Sequence, residues 1–515
     1  MFRDNKKMFW LAAAGIALLF AVTRLWMLAD IPRGLHVDEA GMAYDAYCLA
    51  NFGTDRYLKH FPVYLINYGD GQSAMYAYLA AICVKLMGFS VFAVRLPGVI
   101  VNGIAVLFGS LLVKEAYGRR AALTAAGLLT VCPYFIMASR FGLDCNLFLG
   151  FFTLSVYWLW KAVKVRRCRL FAAAGCFFGL TLYTYSLSWI TLPVFLLFVL
   201  ICLIRSRSII WKQFWAFCIP LGLLASPLLL FLAVNMLGRG EISTPFFTIP
   251  KLFAYRGAEI SLANLKNGLQ MLKSILFFGP LEYNAFPEFG TLYYISVPLV
   301  IAGACLCGRS ALRAVRDRKI TIDTFVFIMF FSVLCCGLVT ADARVVNKSN
   351  AVFFSLVFFI VLFLRWLYRR YRKSIAAAGI CYLVLFVCFS GYYYFRYPAD
   401  RYPQEYFNDT VMKVVAHVSE EYPDRTVYLD TGGVMQADIY LLLQNRTSPY
   451  VFMREAESGQ PRNYDGYCTF FPEETNRSGV YIINTNEEMA DKLVDNGFTE
   501  EEYCGYRLYT VDGIR

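Results

Sequence analysis

Apolar stretches long enough to cross a bilayer recur along most of this 515-residue chain, and they constrain its fold more than any other feature. A helix needs about 20 predominantly apolar residues to cross the hydrocarbon core of a membrane. Hydrophobic residues make up 58% of the sequence, which excludes an ordinary soluble multidomain protein. The sequence therefore predicts an α-helical polytopic membrane protein with about 11 transmembrane helices, over residues 8–28, 94–113, 121–138, 146–163, 169–186, 188–204, 213–235, 291–308, 322–340, 350–367 and 374–395.

Lysine and arginine cluster in short segments between these apolar runs. With the N-terminus in the cytoplasm, the predicted spans place all the basic clusters on the cytoplasmic side, as the positive-inside rule requires. Counting the run 73–88 as a span would invert every later cluster, so we interpret it as a helix at the outer surface. Loops 29–93 and 236–290, the segment 340–350 and the tail from 396 then lie outside the cytoplasm. The net charge of +12 thus reflects multi-pass topology in the plasma (cytoplasmic) membrane, and no nucleic-acid partner is expected.

Loop 236–290 contains one further membrane-related pattern. Its leucines recur at helical spacing, while polar residues occupy the other faces, and the leucines are Leu262, Leu265, Leu269, Leu272 and Leu276. This pattern predicts an amphipathic helix lying in the membrane interface.

The composition changes after residue 395, where the chain becomes polar. We expect two domains, a membrane domain over 1–395 and a small extracytoplasmic α/β domain over 396–515. Strand-like and helix-like runs alternate in the tail, at 425–430, 437–445, 479–484, 487–497 and 506–511. Cys468 and Cys504 could form a disulfide there, since the compartment would be oxidising. No Cys/His metal spacing occurs, and the chain has three histidines.

Chemistry is expected where polar residues lie outside the cytoplasm but close to the membrane. Three such turns combine carboxylates with basic residues, namely Asp38, Glu39, Lys85 and Arg95, then Arg140 and Asp144, then Asp342 and Arg344. For any one of these side chains, a solvated charge or a helix anchor is the plainer interpretation. Together they predict a pocket in which guanidinium groups bind phosphate while carboxylates transfer protons.

Four motifs in this order resemble a known family. The first span ends in a P-x-G-L-x-x-D-E-A loop at 32–40, and R-L-P-G begins the second span at 95–98. A basic G-R-R turn follows at 118–120, and S-R-F-G-x-D occupies the next outer turn at 139–144. The pattern is similar to that of GT-C glycosyltransferases of the protein O-mannosyltransferase and lipid A aminoarabinose transferase type. The resemblance covers roughly residues 1–200 and, more loosely, the rest of the membrane part.

This resemblance implies transfer of a sugar from a polyprenyl-phosphate donor, by direct displacement with inversion at the anomeric carbon. By the family pattern, Asp38 is the general base on the acceptor hydroxyl, and Glu39 and Asp144 orient the acceptor or help bind a divalent metal. Basic residues would neutralise the departing lipid phosphate, where charge develops in the transition state. The candidates for that role are Arg95, Arg140, Lys85 and Arg344.

The sequence leaves several alternatives open. Metal dependence is undecided, with Asp38 and Asp144 as the ligands that a divalent cation would use. The acceptor could be a cell-envelope glycan, a lipid or a protein. The rival function is a polytopic transporter or lipid flippase, which predicts ionisable residues near mid-span and an internal repeat. Neither feature is evident in the sequence, so glycosyl transfer is the preferred hypothesis.

Overall fold

A computed structural model describes residues 6–253, 268–277, 281, 283–339, 345–399, 406–458 and 462–511. Its membrane part is a bundle of helices, and each predicted span coincides with one of them or with two in succession. These helices, together with the shorter ones between them, are α1 (Lys6–Leu25), α2 (Val37–Phe52), α3 (Met75–Met87), α4 (Val91–Tyr117), α5 (Arg119–Val131), α6 (Pro133–Ala138), α7 (Cys145–Val165), α8 (Cys168–Thr181), α9 (Ser188–Arg205), α10 (Trp211–Met236), α11 (Gly268–Leu276), α12 (Ser296–Arg316), α13 (Ile322–Val339), α14 (Phe353–Arg370) and α15 (Arg372–Gly391).

Seven of the described helical segments are long and apolar enough to cross a membrane. The chain is therefore a multi-pass membrane protein, and the number of crossings, 11 by the sequence pattern, stays a prediction. The main core of the bundle joins side chains from α4, α5, α7, α8, α9, α12, α13 and α14.

The predicted span over 121–138 is divided into two helices by a proline. Helix α5 ends at Val131, Cys132 has extended backbone angles, and α6 begins at Pro133. Proline disfavours helical angles at the residue before it and suits the first turn of a new helix, because it has no N–H to leave unbonded. The break lies just before the turn that contains Arg140 and Asp144.

The run 73–88 forms α3, which has 13 residues. At 1.5 Å per residue it is about 20 Å long, shorter than the roughly 30 Å hydrocarbon core. Its small residues Ala77 and Ala80 pack with Met42 and Ala46 of α2 in a shared apolar cluster. The length agrees with the expectation that this segment does not span, which stays a prediction.

The amphipathic helix expected in loop 236–290 is described over α11, and Leu262 and Leu265 lie outside the described residues. Within α11, Met271 and Ile275 are fully buried and belong to the main core of the bundle. The predicted leucines Leu272 and Leu276 are half-buried, so α11 packs partly on the bundle, and its position in the membrane interface stays a prediction.

Two short hairpins belong to the loops on the Asp38 side of the bundle. They are β1 (Tyr64–Asn67) with β2 (Asp70–Ser73), and β3 (Ile242–Ser243) with β4 (Thr248–Ile249). The first hairpin turns through Tyr68 and Gly69, both with positive φ, as a two-residue hairpin loop of the common primed type requires. The bridge between Pro62 and Thr248 joins the two loops to each other.

The tail forms the small α/β unit that the sequence predicts. Its elements are α16 (Asp409–Glu421), β5 (Val427–Leu429), α17 (Asp438–Gln444), α18 (Pro449–Ser458), β6 (Asn463–Tyr464), β7 (Tyr467–Cys468), β8 (Val480–Ile483), α19 (Glu487–Asp495), β9 (Thr499–Tyr503) and β10 (Tyr506–Thr510). They build one six-stranded sheet of order β6-β7-β5-β8-β10-β9. Strand β5 is parallel to β7 and β8, whereas the pairs β8–β10 and β9–β10 are antiparallel.

Cys468 and Cys504 are both free thiols, so the expected disulfide does not form. Cys468 lies on β7 and Cys504 follows β9, beyond the intervening strands β5 and β8. Neighbouring strands are about 4.8 Å apart, so this separation exceeds the reach of a disulfide.

The tail packs directly on the helix that follows the first span. Tyr44 and Cys48 of α2 share one apolar cluster with Val414 and Leu442 of the tail. Gly34, with φ of +73°, lies so close to the tail that a Cβ there would overlap the carbonyl oxygen of Phe407. The domain boundary at 395/396 stays a prediction, but α2 and the tail are held together by one apolar cluster.

Candidate active site

Asp38 lies in the first turn of α2, at the surface of the protein. His36 caps this helix, because its Nδ1 accepts a hydrogen bond from the N–H of Asp38 at 3.2 Å. Carboxylates are favourable near helix N-termini, where the backbone N–H groups point outward. The side chain of Asp38 is 42% exposed, so it can meet a substrate without any rearrangement of the chain.

Glu39, the neighbouring acid, is instead fully buried and accepts hydrogen bonds from four N–H groups. Its Oε1 accepts from Arg95 Nε at 2.8 Å and from the N–H of Gly142 at 2.7 Å. Its Oε2 accepts from an Arg95 terminal nitrogen at 3.1 Å and from the N–H of His36 at 3.3 Å. Glu39 therefore ties α2 to α4 and to the turn before α7, and has no surface open to a substrate.

Arg95 is fully buried and its donors are directed at protein oxygens. Besides Glu39, the guanidinium donates to the carbonyl oxygens of Pro32 at 2.9 Å and Gly34 at 2.7 Å. Further contacts reach the carbonyls of Leu28 and Ala29. These bonds hold the loop between α1 and α2 in place, and the proposed contact with the donor phosphate has no support in this geometry.

Arg140 likewise directs its donors at protein oxygens, at the end of α1. It is fully buried and donates to the carbonyl oxygens of Arg24 at 2.9 Å, Trp26 at 2.8 Å and Met27 at 2.8 Å. The last carbonyls of a helix lack partners within the helix, and arginine is a suitable donor to them. Arg140 thus caps α1, so its assignment to the donor phosphate also lacks geometric support.

Asp144 is the second carboxylate that the fold brings near Asp38. It precedes α7, and its oxygens accept from the N–H groups of Cys145 at 2.7 Å and Ser73 at 3.2 Å. Burial raises the pKa of Asp144 to about 7, the hydrogen bonds from Ser73 and Cys145 oppose this shift, and the charge of Asp38 adds to it. A carboxyl with a pKa near neutrality is suited to proton transfer at physiological pH.

A series of hydrogen-bonded side chains in the first loop positions Asp38. Asn67 Nδ2 donates to Asp38 Oδ1 at 3.1 Å, and Arg56 donates to Asn67 Oδ1 at 3.4 Å. Arg56 is in turn held by a buried ion pair with Asp45, at 2.8 Å. The contact of Asn67 with Asp38 depends on the register of the β1–β2 hairpin, which the sequence pattern does not specify.

The remaining predicted residues lie elsewhere or cannot be placed. Lys85 is exposed near the end of α3, ten residues, or about 15 Å of helix, beyond Met75. Arg344 and Asp342 lie outside the described residues. The segment that follows them, Val346–Val352, is a short 3-10 helix whose Asn350 donates to the carbonyl oxygen of Cys145 at 2.7 Å. This contact brings the 345–350 segment beside Asp144.

Metal dependence stays open. Within the described ranges, no three His, Cys, Asp or Glu side chains gather where a metal ion could be bound. Asp38 and Asp144 are both oxygen ligands of the type that divalent cations such as Mg²⁺ prefer.

The tail contributes a contact at the base of the site that no sequence pattern predicts. The hydroxyl of Tyr440 donates to the carbonyl oxygen of Leu35 at 3.0 Å and accepts from Asn408 at 2.6 Å. Leu35 directly precedes His36, the cap of α2. The tail therefore helps fix the position from which Asp38 projects.

Comparisons with known proteins give a family match and a fold match. Residues 72–245, about a third of the chain, match the family model described as dolichyl-phosphate-mannose-protein mannosyltransferase. No curated protein sequence matches the chain. The fold matches ArnT from Cupriavidus metallidurans in the apo state, with 12% identity, a TM-score of 0.56 and 98% of each chain covered. It also matches ArnT from the same organism bound to undecaprenyl phosphate, with 12% identity, a TM-score of 0.54 and 99% of each chain covered.

A more distant likeness exists to the archaeal oligosaccharyltransferase AglB from Archaeoglobus fulgidus. It has 14% identity and a TM-score of 0.46, and covers 84% of this chain and 64% of that one. The family match and the ArnT fold together confirm the predicted resemblance to polyprenyl-phosphate-dependent glycosyltransferases of the GT-C type, and the predicted fold class with it.

Proposed function

We propose that this membrane glycosyltransferase moves a sugar from a polyprenyl-phosphate donor to an acceptor hydroxyl outside the cytoplasm, with Asp38 as the general base. The observation that supports this most directly is the contrast between Asp38 and Glu39. Asp38 is exposed, oriented by Asn67 and close to Asp144, whereas Glu39 is enclosed by four donors. An ArnT structure of the same fold binds undecaprenyl phosphate, which is the carrier part of such a donor.

In the proposed reaction the acceptor oxygen attacks the anomeric carbon as Asp38 removes its proton. The bond between that carbon and the phosphate oxygen breaks, and the polyprenyl phosphate leaves with the bonding electrons. Attack from the face opposite the phosphate inverts the anomeric centre. Asp144 lies near enough to interact electrostatically with Asp38 and is proposed to orient the acceptor hydroxyl.

The departing phosphate needs a cation, and Arg95 and Arg140 are occupied by protein oxygens. We propose instead a cation from the segment 345–350, which packs beside Asp144 through Asn350, or from Arg344, which precedes it in the sequence. Lys348 of this segment is half-buried, and the family resemblance already assigns Arg344 to phosphate. Either charge would stabilise the negative charge that develops on the leaving group.

A turnover assay with a radiolabelled polyprenyl-phosphate sugar tests the role of Asp38. Asp38→Asn keeps the size of the side chain and can still bond Asn67, so the variant should fold and bind undecaprenyl phosphate. Loss of a general base lowers the rate by about 10²–10⁴-fold. Asp424→Asn, at an exposed acid of the tail, is the matched control and should have the wild-type rate.

Full turnover by Asp38→Asn would overturn the assignment. A loss in Asp144→Asn that exceeds the loss in Asp38→Asn would exchange the two roles. Uptake or flipping of the labelled lipid sugar by reconstituted wild-type protein, without transfer or consumption, would favour a transporter or lipid flippase instead.

We also propose the orientation that charge distribution predicts, with the Asp38 side and the tail outside the cytoplasm. Lys85→Cys and Arg169→Cys place single labelling sites at exposed positions on the two predicted sides. A membrane-impermeant thiol reagent applied to intact cells, in a background without other reactive cysteines, should label the first variant and spare the second. Labelling of Arg169→Cys alone would reverse the topology.

A further inference from the structure

The tail contains a polar cleft that the proposed reaction does not use. It has a volume of about 410 Å³, within the range of small-molecule sites. Its lining is formed by side chains of the tail alone, most of them polar, namely Thr431, Val434, Gln436, Ala437, Asp438, Arg462 and Thr469.

The topology of the sheet explains why a cleft forms here. Thr431 follows β5 closely and Thr469 directly follows β7, and the two strands are parallel, so both residues lie at the carboxyl edge of the sheet. The chain runs from β5 to β7 on one side and then to β8 on the other side of β5. Open α/β sheets bind ligands at the carboxyl ends of strands where the strand order reverses in this way.

The chemistry of the lining suits a neutral, polyhydroxylated ligand. Arg462 donates to Asp438 Oδ2 at 3.0 Å, so the two charges compensate each other and leave no net charge. The same pair retains further N–H donors and carboxylate lone pairs, and Gln436 and the threonine hydroxyls each offer a donor and an acceptor. Vicinal sugar hydroxyls, which both donate and accept, match this mixture, whereas a phosphate would need uncompensated cations.

The cleft adjoins the loop that positions Asp38. Tyr57 of that loop packs its ring against Phe452 of the tail, with ring centroids 5.4 Å apart. Burial raises the pKa of Tyr68, and the charges of Asp38 and of Asp438 both add to this effect, so both carboxylates lie within electrostatic reach of one phenol. The Tyr68 hydroxyl itself donates to the carbonyl oxygen of Val37 at 2.9 Å, one residue before Asp38.

We infer that this cleft is a binding subsite for a neutral glycan portion of the acceptor, which it holds beside the catalytic carboxylates. The inference rests on the proposed function, because only a transferase has an acceptor to place. It assigns to the tail a role in acceptor recognition and narrows the acceptor to a glycan or glycan-bearing molecule.

Binding to an array of defined oligosaccharides tests the inference with the labelled full chain in detergent. The array combines di- to tetrasaccharides of neutral hexoses and N-acetylhexosamines with matched uronic-acid and phosphorylated forms. The wild-type protein should bind a subset of the neutral members. Arg462→Ala should weaken that binding about tenfold, the equivalent of one hydrogen bond to a charged group, and Thr431→Trp should abolish it by filling the cleft.

Arg477→Ala is the matched control, at an exposed arginine of the tail outside the cleft lining, and should bind as the wild type does. Absence of binding by the wild type, preference for the acidic members, or unchanged binding by Thr431→Trp would each overturn the inference. Consumption of the polyprenyl-phosphate sugar, with a bound neutral member of the array as acceptor, is measured in parallel; it should fall in Arg462→Ala and Thr431→Trp and keep the wild-type rate in Arg477→Ala. Failure of the wild type to consume any such donor would overturn the proposed function, which is a separate result.

Discussion

The replacement Arg95→Lys distinguishes a phosphate ligand from a structural cation. A direct contact with the donor phosphate predicts weaker donor binding in a protein of normal stability. The structure predicts the opposite pattern, because the Arg95 guanidinium donates to both oxygens of Glu39 and to backbone carbonyls of the α1–α2 loop. Lysine keeps the charge but replaces the planar fork by a single nitrogen.

The magnitude follows from the hydrogen bonds that are lost. Arg95 has six contacts with Glu39 and the carbonyls of Leu28, Ala29, Pro32 and Gly34. A lysine ammonium has three donors, so about three of these six contacts are lost. At about 1 kcal/mol for each buried hydrogen bond, the free energy of unfolding should fall by about 3 kcal/mol.

Thermal unfolding in detergent and binding of undecaprenyl phosphate are measured on the same preparations. Arg95→Lys should unfold at a lower temperature than the wild type, while the fraction that remains folded binds the lipid with wild-type affinity. Arg169→Lys, at an exposed arginine, is the control for the substitution itself and should leave both quantities unchanged. A wild-type unfolding temperature combined with tenfold weaker lipid binding would refute the structural role and restore the contact with phosphate.

Three further outcomes are expected. Tyr440→Phe removes the hydrogen bond to Leu35, so turnover should fall several-fold with unchanged binding of undecaprenyl phosphate; equal turnover would show that the tail does not position α2. The raised pKa of Asp144 means that the folded state binds this proton more tightly than the unfolded chain, so wild-type stability should fall as pH rises from about 4 to 7. Asp144→Asn should lack this fall in a series of unfolding temperatures, and parallel curves would contradict the shift. Lys348→Gln should weaken binding of undecaprenyl phosphate, an effect that Lys85→Gln should not reproduce.

The parts of the fold that follow local patterns could be predicted from the sequence. Apolar length gives a helix at every predicted span, and alternating patterns give β5, β8 and β10 close to their observed bounds. The break at Pro133 follows from local proline chemistry. The burial of Met271 and Ile275 in α11 follows from tertiary packing, which the hydropathy of a sequence window does not reveal. The disulfide between Cys468 and Cys504 fails for the same kind of reason, because strand order decides how far apart they lie.

The site shows where motif order stops being informative. An arginine next to a membrane surface is equally compatible with binding a phosphate and with binding the carbonyls at a helix end. Sequence position cannot separate the two, since the carbonyls that Arg140 caps are more than 110 residues away along the chain. Sequence position also cannot separate the roles of Asp38 and Glu39, which are adjacent in sequence and differ by one helical step of about 100°. That rotation directs Glu39 toward the buried Arg95 and leaves Asp38 exposed beside Asn67.

The buried Glu39 and the exposed Asp38 contribute differently to the geometry of the site. The exposed carboxylate needs a fixed position without enclosing donors, because enclosure would prevent contact with an acceptor. The buried pair of Glu39 and Arg95 fixes the start of α2 from the membrane side, and Tyr440 fixes it from the tail. Burying an ion pair costs desolvation free energy, and breaking one is strongly destabilising. Such a pair therefore fixes the positions of its residues more than it adds net stability. Placing the strongest bonds one residue away from Asp38 therefore holds the reactive carboxylate still while leaving it free to bind a substrate.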